Sequence, residues 1–290
     1  MPELMQFLFS GVTVGAVYAL VALGFTIIYN ASDVVNFAQG EFAMLGGMIA
    51  VFAVSAGMPL PLAAVVAIIV TGLIGIGLNK LAIEPARGAP VVSLIIITIG
   101  AAIFIKGATK LIFDKQLHRL PAFSGDTPIQ LMGATILPQS LWVIAGAIGV
   151  FIGLWLFFTR TLIGRAVLAT SNNRLAAQLV GINIKWVMTL AFSLSAAIGA
   201  LAGVLITPIT LTSYDVGIAL ALKGFAAAML GGMGNPKGAL VGGIVLGLLE
   251  AMTAGYISSQ YKDAAAFIVI LMVLFFMPQG LFGLKSTDRV

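Results

Sequence analysis

Long apolar runs separated by short polar segments fill almost the whole chain. An apolar helix of about 20 residues crosses a bilayer, and most of the runs approach or exceed that length. The runs cover residues 5–29, 42–57, 60–83, 91–113, 141–158, 186–206, 217–233, 239–257 and 264–277. The pattern predicts an all-α polytopic membrane protein with about eight or nine transmembrane helices. The shorter runs can be broken or re-entrant helices, and residues 1–290 are expected to form one transmembrane domain.

Composition indicates the same class. Of 290 residues, 60% are hydrophobic and 9% are charged, and the mean hydropathy is +1.13. Soluble domains carry about a quarter charged residues, so this chain cannot cover itself with a water-compatible surface. The first run is expected to remain as a span, since the residues before it lack the basic region of a cleaved signal peptide. Without cysteine, no disulfide or thiolate metal site can form.

The loop at residues 159–185 carries Arg160, Arg165, Arg174 and Lys185 and no acidic residue. Short loops rich in Arg and Lys stay in the cytoplasm. Counting about nine crossings away from this loop in both directions puts the N-terminus outside and the C-terminus inside. Other basic residues agree with this orientation, namely Lys80, Arg87, Lys237, Lys285 and Arg289. A second set disagrees with it, namely Lys106, Lys110, Lys115 and Arg119. The net charge of +5 therefore reports orientation and not nucleic-acid binding.

The middle of this basic loop is expected to form one short helix outside the bilayer. Ser171, Asn172 or Asn173 can cap its start, and Gly181 can adopt the left-handed conformation that ends it. An apolar stripe at helical spacing is formed by Leu175, Leu179 and Ile182, with Ala176 and Val180 beside them. Such a helix either docks a soluble partner or rests on lipid headgroups. The pattern alone leaves both interpretations open.

A short repeat joins the two halves of the chain. The hexapeptide Ala-Met-Leu-Gly-Gly-Met occurs at 43–48 and again at 228–233, each time in a short, Gly-interrupted run. Paired short segments of this kind point to the substrate site of transporters. The predicted topology makes the two copies run in opposite directions, as in an inverted repeat. Chance is the alternative, because these residue types are abundant here.

Charged residues within apolar runs are the sharper signals, because an ionisable group in a span is costly unless it is paired or faces water. Glu250 either lines the transport pathway or forms a structural pair with Lys223. Tyr214 and Asp215 are expected at the outer side, where they could meet a delivered substrate.

A polar patch opens the second run with Asn36, Gln39 and Glu41. Free N–H groups at a helix start could bind a substrate carboxylate, or Glu41 could complement the helix dipole. A gate role is favoured, and the patch is expected toward the cytoplasm, away from Tyr214 and Asp215.

No motif for chemistry on the chain itself is present. A Walker A loop, a His-Glu-x-x-His helix and a Gly-x-Ser-x-Gly turn are all absent from the sequence. One histidine, His118, cannot build a typical metal cluster. The chain is therefore expected not to be an enzyme, and any ATPase that drives it must be another polypeptide.

Three separated motifs carry a family resemblance. They are GAVYALVALGF at 15–25, NFAQGEF at 36–42 and GFAAAMLGGMGNPKGA at 224–239. In this order they resemble the membrane permease of branched-chain amino acid ATP-binding-cassette (ABC) importers, and specifically the smaller of the two permease subunits. The resemblance covers essentially the whole chain. Related permeases for urea, short amides and other amino acids share much of the pattern.

The resemblance implies a set of partners in a bacterial inner membrane. They are a second permease, two cytoplasmic ATPase subunits that bind the ATP and Mg²⁺, and a periplasmic substrate-binding protein. No cofactor is expected on this chain. The alternative from another class is a secondary transporter that uses Glu250 or Asp215 as an ion-coupling carboxylate.

The resemblance also implies an ATPase-coupling helix in the basic loop. Permeases of this type carry Glu-Ala-Ala, three residues and then Gly, and this chain has Leu175-Ala176-Ala177, three residues and then Gly181. Leu stands where the family has Glu, and the later Ile and Leu-Pro are absent, so salt-bridge details do not transfer. Docking becomes the favoured interpretation. The predicted coupling residues are Arg165, Asn172, Arg174, Leu175, Ala176, Ala177 and Gly181.

Overall fold

A computed structural model describes residues 2–131 and 133–283. The helices are α1 (Pro2–Ser32), α2 (Gln39–Ser55), α3 (Leu60–Leu78), α4 (Val91–Ile112), α5 (Pro138–Arg160), α6 (Leu162–Asn172), α7 (Arg174–Leu179), α8 (Ile184–Thr210), α9 (Val216–Gly231), α10 (Pro236–Tyr256) and α11 (Lys262–Phe276). A π-helical turn, Asn79–Ile83, extends α3. Two short strands, β1 (Ile129–Leu131) and β2 (Ala134–Ile136), pair as an antiparallel hairpin.

Each apolar run predicted from the sequence coincides with a helix. Among the described residues, six helices are long and apolar enough to cross a membrane, and α2 and α9 are shorter apolar helices of 17 and 16 residues. The prediction of an α-helical polytopic membrane protein is therefore confirmed. The hairpin between α4 and α5 was not predicted, because strands of three residues are too short to show an alternating pattern.

Small residues let the central helices approach closely. A Cβ atom on Gly15 of α1 would lie 2.8 Å from the Ile244 backbone of α10. A Cβ atom on Gly203 of α8 would collide with the carbonyl oxygen of Ala43 in α2. Lipid supplies no hydrophobic force between helices, so backbone contact of this kind provides the packing energy in a bilayer.

The helices pack as two halves of opposite direction. In one half α1 lies against α10 and the short helix α9, and in the other α8 lies against α3 and the short helix α2. The short helices meet near their first residues, where a Cβ atom on Gly40 would collide with the Gly217 carbonyl oxygen. From there α2 and α9 run to opposite ends, which is the arrangement of an inverted repeat. The hexapeptide copies do not mark it, since 43–48 lies early in α2 and 228–233 at the end of α9.

The bundle has two distinct ends. The basic end holds the C-terminus of α1, α6, α7 and the start of α8, and salt bridges join Arg174 to Asp33 (3.3 Å) and Lys185 to Glu84 (3.4 Å) there. The hairpin end holds the start of α1 and the β-hairpin, where Gln6 exchanges two hydrogen bonds with the Thr135 backbone, 2.9 and 2.7 Å long. Both ends are thus fastened to α1.

Candidate functional site

The chain re-enters the bundle after α1 through a non-helical segment, residues 33–38, which begins exposed at Asp33 and is buried at Val34, Asn36 and Ala38. Asp33 adopts a positive φ of 55° where the chain turns back. Asn36 is fully buried, and its Oδ1 accepts the Ala38 N–H at 3.1 Å. The N–H of Phe37 donates to the Thr98 hydroxyl of α4 at 3.2 Å. Side chains thus satisfy backbone groups of this segment, which is the condition for irregular backbone within a membrane protein.

Gln39 anchors the start of α2 in the interior of the bundle. Its Nε2 donates to the Ser195 carbonyl oxygen at 3.1 Å, and the Ser195 Oγ lies 2.9 Å from the Gly24 carbonyl oxygen of α1. Ser195 is about 16 Å along α8 from its first residue, at 1.5 Å per residue. The helix α2 therefore begins halfway along α8, as a broken helix would.

Glu41 lies in the first turn of α2, at the start of α9. We call this meeting point, residues 39–41 and 215–217, the central junction. The Glu41 side chain is 2% exposed, and a Cβ atom on Gly217 would lie 2.5 Å from its Oε2. Within the described ranges this Oε2 has no hydrogen-bond partner. Lys106 of α4 lines one small cavity with Glu41, and Asp215 is two residues before Gly217.

The central junction corrects one prediction. The polar patch with Asn36, Gln39 and Glu41 was expected toward the cytoplasm and Asp215 at the outer side, whereas the structure brings Glu41 and Asp215 together. The prediction was wrong because it took α2 as starting at a membrane surface. Residues 33–38 instead lead the chain back into the interior before the helix begins.

Tyr214 and Asp215 lie beside two lysines of α4. The ammonium groups of Lys106 and Lys110 are 5.7 and 5.4 Å from the centroid of the Tyr214 ring, and Asp215 accepts a hydrogen bond from the Ser213 hydroxyl. A cation over an aromatic face is attracted to the ring. In the sequence, both lysines were recognised only as exceptions to the charge rule. The sequence did carry a signal for them, because two lysines four residues apart lie on one face of a helix.

Glu250 lies in a second polar cluster, formed with Tyr18, Lys223 and Asp263. The Tyr18 hydroxyl donates to Glu250 Oε2 at 2.7 Å, and the Lys223 ammonium is 2.9 Å from Glu250 Oε1 and 2.8 Å from Asp263 Oδ1. The structural pair between Glu250 and Lys223 is thus observed. A pathway role for Glu250 stays a prediction. Tyr18 and Asp263 were missed, because no spacing in the sequence joins them to Glu250.

The basic loop folds into two short helices and not one. Asn172 is the last residue of α6, and Asn173 is extended, with a φ of −157°. The Asn173 side chain caps α7 by accepting the Ala176 N–H at 3.0 Å. Gly181 has a φ of +88°, the left-handed conformation that was predicted. The helix predicted for the middle of the loop is α7, with Asn173 as its N-cap, whereas α6 before it was not predicted.

Arginines fasten this loop to the bundle. The Arg174 guanidinium donates to the Ala31 carbonyl oxygen at 2.6 Å and pairs with Asp33, so α7 is joined to the end of α1. Arg165 donates to the Thr159 carbonyl oxygen at 3.2 and 3.0 Å, so α6 is joined to the end of α5. A displacement of α7 would therefore move residues 33–38, the segment that leads to the central junction.

The apolar stripe of α7 faces away from the bundle. Leu175 is 75% exposed and Leu179 88% exposed, and Val180 beyond the helix is also exposed, whereas Ala177 is buried against its neighbours. A cluster of exposed aliphatic side chains on a short helix is a surface that a partner or lipid can cover. We call these three exposed side chains the α7 surface.

No metal centre is formed by the part of the chain that the structure describes, where no group of three or more His, Asp or Glu side chains converges. His118 instead fastens the α4–α5 connection. Its backbone exchanges hydrogen bonds of 2.8 and 2.9 Å with Thr212, and its Nε2 lies 2.7 Å from Asp114 Oδ1.

Comparison with known proteins places the chain in a family. The family described as branched-chain amino acid transport system / permease component matches residues 7–277. The high-affinity branched-chain amino acid transport system permease protein BraD of Pseudomonas aeruginosa is 34% identical, with all of both chains covered. The corresponding LivH of Escherichia coli K12 is 31% identical over 99% of this chain and 97% of its own. The ribose import permease RbsC of Haemophilus influenzae is 27% identical over 89% and 81%. The chain therefore belongs to the family of branched-chain amino acid transport system permease components.

Proposed function

We propose that this chain is a permease subunit of an ABC importer that takes up branched-chain amino acids across a bacterial inner membrane. The observation that carries the proposal is the full-length similarity to BraD and LivH, whose names state this transport. The paired short helices support a transport role, because broken helices of opposite direction place free helix ends inside a membrane. The chain would form the passage, and ATP would be hydrolysed on a separate ATPase subunit.

The α7 surface is the proposed contact with the ATPase. It combines exposed aliphatic side chains with attachment to α1 through Arg174. ATP-driven closure of the ATPase pair would push on α7, and Arg174 would pass the displacement to Asp33 and the 33–38 segment. That segment leads directly into Gln39 and Glu41. The coupling route is thus short, and α7, residues 33–38 and the central junction would move together.

The proposed orientation places the basic end in the cytoplasm. Positive charge is concentrated there, on Lys80, Arg87, Arg160, Arg165, Arg174, Lys185 and Lys237. Lys285 and Arg289, which the sequence also assigned to the inside, lie outside the described residues. Leu281 donates its N–H to the Leu230 carbonyl oxygen at 2.8 Å, so the chain after α11 returns to the basic end. In this orientation the C-terminus is cytoplasmic.

The hairpin end would face the periplasm and the substrate-binding protein. One basic residue there is paired locally, which supports the orientation although basic residues occur outside. Arg119 is bonded to Asp126 at 3.1 Å. A second permease would cover exposed apolar surface of this chain, on α3, α4 or α5, since all three leave large aliphatic side chains uncovered.

Leu179→Asp tests the proposal at the α7 surface. The side chain is 88% exposed, so the change leaves the fold intact but places a charge where the ATPase would pack. In proteoliposomes with the second permease, the ATPases and the binding protein, we expect ATP-dependent leucine uptake to fall at least about tenfold, as for a disrupted interface core. ATP hydrolysis should lose its stimulation by the loaded binding protein.

Leu179→Met is the matched control. It keeps an apolar side chain of similar volume at the same exposed position, so uptake should stay within about twofold of the wild type, as for volume-conserving apolar exchanges. Normal coupling in Leu179→Asp would refute α7 as the docking element. Leucine uptake by this chain alone, driven by an ion gradient without ATP, would refute the importer and favour a secondary transporter.

A further inference from the structure

A small cavity opens beside the central junction, between α2, α4 and α9. Its volume is about 200 Å³, and its walls include Phe37, Ile99, Ile103 and Leu222. Two residues of opposite charge, Glu41 and Lys106, are also among its walls. The volume is below the range of about 300–1,000 Å³ that holds drug-sized ligands and suits a single amino acid.

The Glu41 carboxylate is an acceptor without a donor. Glu41 is only 2% exposed, and its Oε2 has no hydrogen-bond partner within residues 2–131 and 133–283. Leaving a buried acceptor unpaired costs free energy, so a donor that reached this oxygen would be bound favourably. The carboxylate therefore provides a position for an ammonium group.

Lys106 supplies the opposite charge on the same cavity. Its ammonium is half-buried above the Tyr214 ring and forms no ion pair within 4.0 Å in the described part of the chain. Lys223 differs from Lys106 in this respect, because it is bonded to two carboxylates. Glu41 and Lys106 share a cavity without bonding to each other. One ligand with an ammonium and a carboxylate can satisfy both.

We propose that this cavity is a transit site for a zwitterionic aliphatic amino acid. Glu41 accepts a hydrogen bond from the α-ammonium group, Lys106 donates to the α-carboxylate, and the isoleucines with Leu222 and Phe37 surround the side chain. The choice of an aliphatic amino acid rests on the proposed function. The site adjoins the end of the 33–38 segment, so a push transmitted through Arg174 would reach Glu41 and release the ligand.

Cysteine protection tests the site directly, since the chain contains no cysteine. Ala102→Cys places a thiol on the cavity wall, and Ala108→Cys places one on the same helix outside it. Both residues are half-buried. The complete transporter is held in phosphatidylglycerol nanodiscs, whose headgroup has no ammonium to compete. The rate of N-ethylmaleimide labelling is read on this chain by intact mass spectrometry.

Three ligands separate the two charge contacts. L-leucine has both charged groups, 4-methylpentanoate lacks the ammonium, and 3-methylbutylamine lacks the carboxylate. We expect leucine to slow labelling of Ala102→Cys and to do so at concentrations about tenfold lower than either analogue, as for loss of a charge-assisted hydrogen bond. Labelling of Ala108→Cys should not change. Glu41→Gln should remove the advantage of leucine over 4-methylpentanoate, and Lys106→Gln its advantage over 3-methylbutylamine.

Two outcomes would overturn the site. One is equal labelling of Ala102→Cys with and without leucine; the other is equal protection by leucine and 4-methylpentanoate in the parent protein. Either result in a transporter that still takes up leucine with ATP would reject the cavity and leave the proposed function standing. A transporter that fails to take up leucine would reject the proposed function instead.

Discussion

Lys223 is the residue on which the second polar cluster depends. It is the cation between two carboxylates, and Tyr18 fills the remaining position on Glu250. Only 15% of the Lys223 side chain and 7% of the Glu250 side chain are exposed. Removing one partner of a buried ion pair leaves an uncompensated charge, which costs more than the pair contributes.

Lys223→Met should therefore destabilise the protein by about 3 kcal/mol. The measurement is the free energy of unfolding in mixed micelles titrated with denaturing detergent. Lys237→Met, at an exposed lysine of the basic end, is the control and should have little effect. The double variant Lys223→Met/Glu250→Gln should recover part of the loss, because the stranded charge is gone. Additive losses would contradict the pair.

Asp114 makes a pH-dependent contribution at the hairpin end. The hydrogen bond from the His118 side chain, with a second from the Gln116 N–H, lowers the pKa of Asp114 below its usual range. A lowered folded-state pKa stabilises the protein above the unfolded-state pKa, and this stabilisation is lost as the pH falls through the folded-state pKa. The effect is small, because the Asp114 carboxyl is exposed to solvent.

Asp114→Asn should lower the apparent melting temperature at neutral pH and have no effect once the pH is below the folded-state pKa of Asp114. Melting curves of both proteins from pH 7 to strongly acidic solution measure the difference. Asp126→Asn, which removes the exposed partner of Arg119, is the comparison on the same end. A difference that grows as the pH falls would have the wrong sign for the His118 bond.

At the scale of the elements, the close approach of α2 and α9 defines the central junction. Gly217→Val would drive a branched side chain into the Glu41 carboxylate, since even a Cβ atom would lie 2.5 Å from Oε2. We expect the variant to accumulate at a much reduced level, or to lose uptake if it folds. Gly107→Val, where a Cβ atom meets nothing within 4 Å, should behave like the wild type. Normal uptake by Gly217→Val would show that the helices do not meet as described.

Elements could be predicted where one local rule decides them. The apolar runs predicted the membrane helices because lipid leaves a spanning chain no alternative to helix. Gly181 and the Asn173 cap followed from backbone conformation and side-chain chemistry. The return of residues 33–38 into the bundle could not be predicted, because it depends on Thr98 and Ser195, which are distant in sequence.

The candidate site shows the same limit at the scale of the whole molecule. Glu41, Asp215 and Glu250 were found because charge within an apolar run is conspicuous. The pair of Glu250 with Lys223 was among the predicted alternatives, but the contacts of Glu41 with Gly217 and of Glu250 with Tyr18 were not predicted. These contacts depend on how the bundle packs, and no spacing in the sequence indicates them.

The two attachments of α1 have a consequence for the assembled transporter. Gln6 fastens its first turns to the hairpin and Arg174 fastens its last residues to α7. A helix of 31 residues is about 46 Å long and cannot shorten. It is a rigid connection between the α7 surface and the hairpin end, the two places where soluble proteins would bind. If nucleotide binding on a partner at α7 changes the affinity for a partner at the hairpin end, the second partner changes the nucleotide affinity by the same factor. The helix α1 would then be one mechanical connection between the two sides of the membrane.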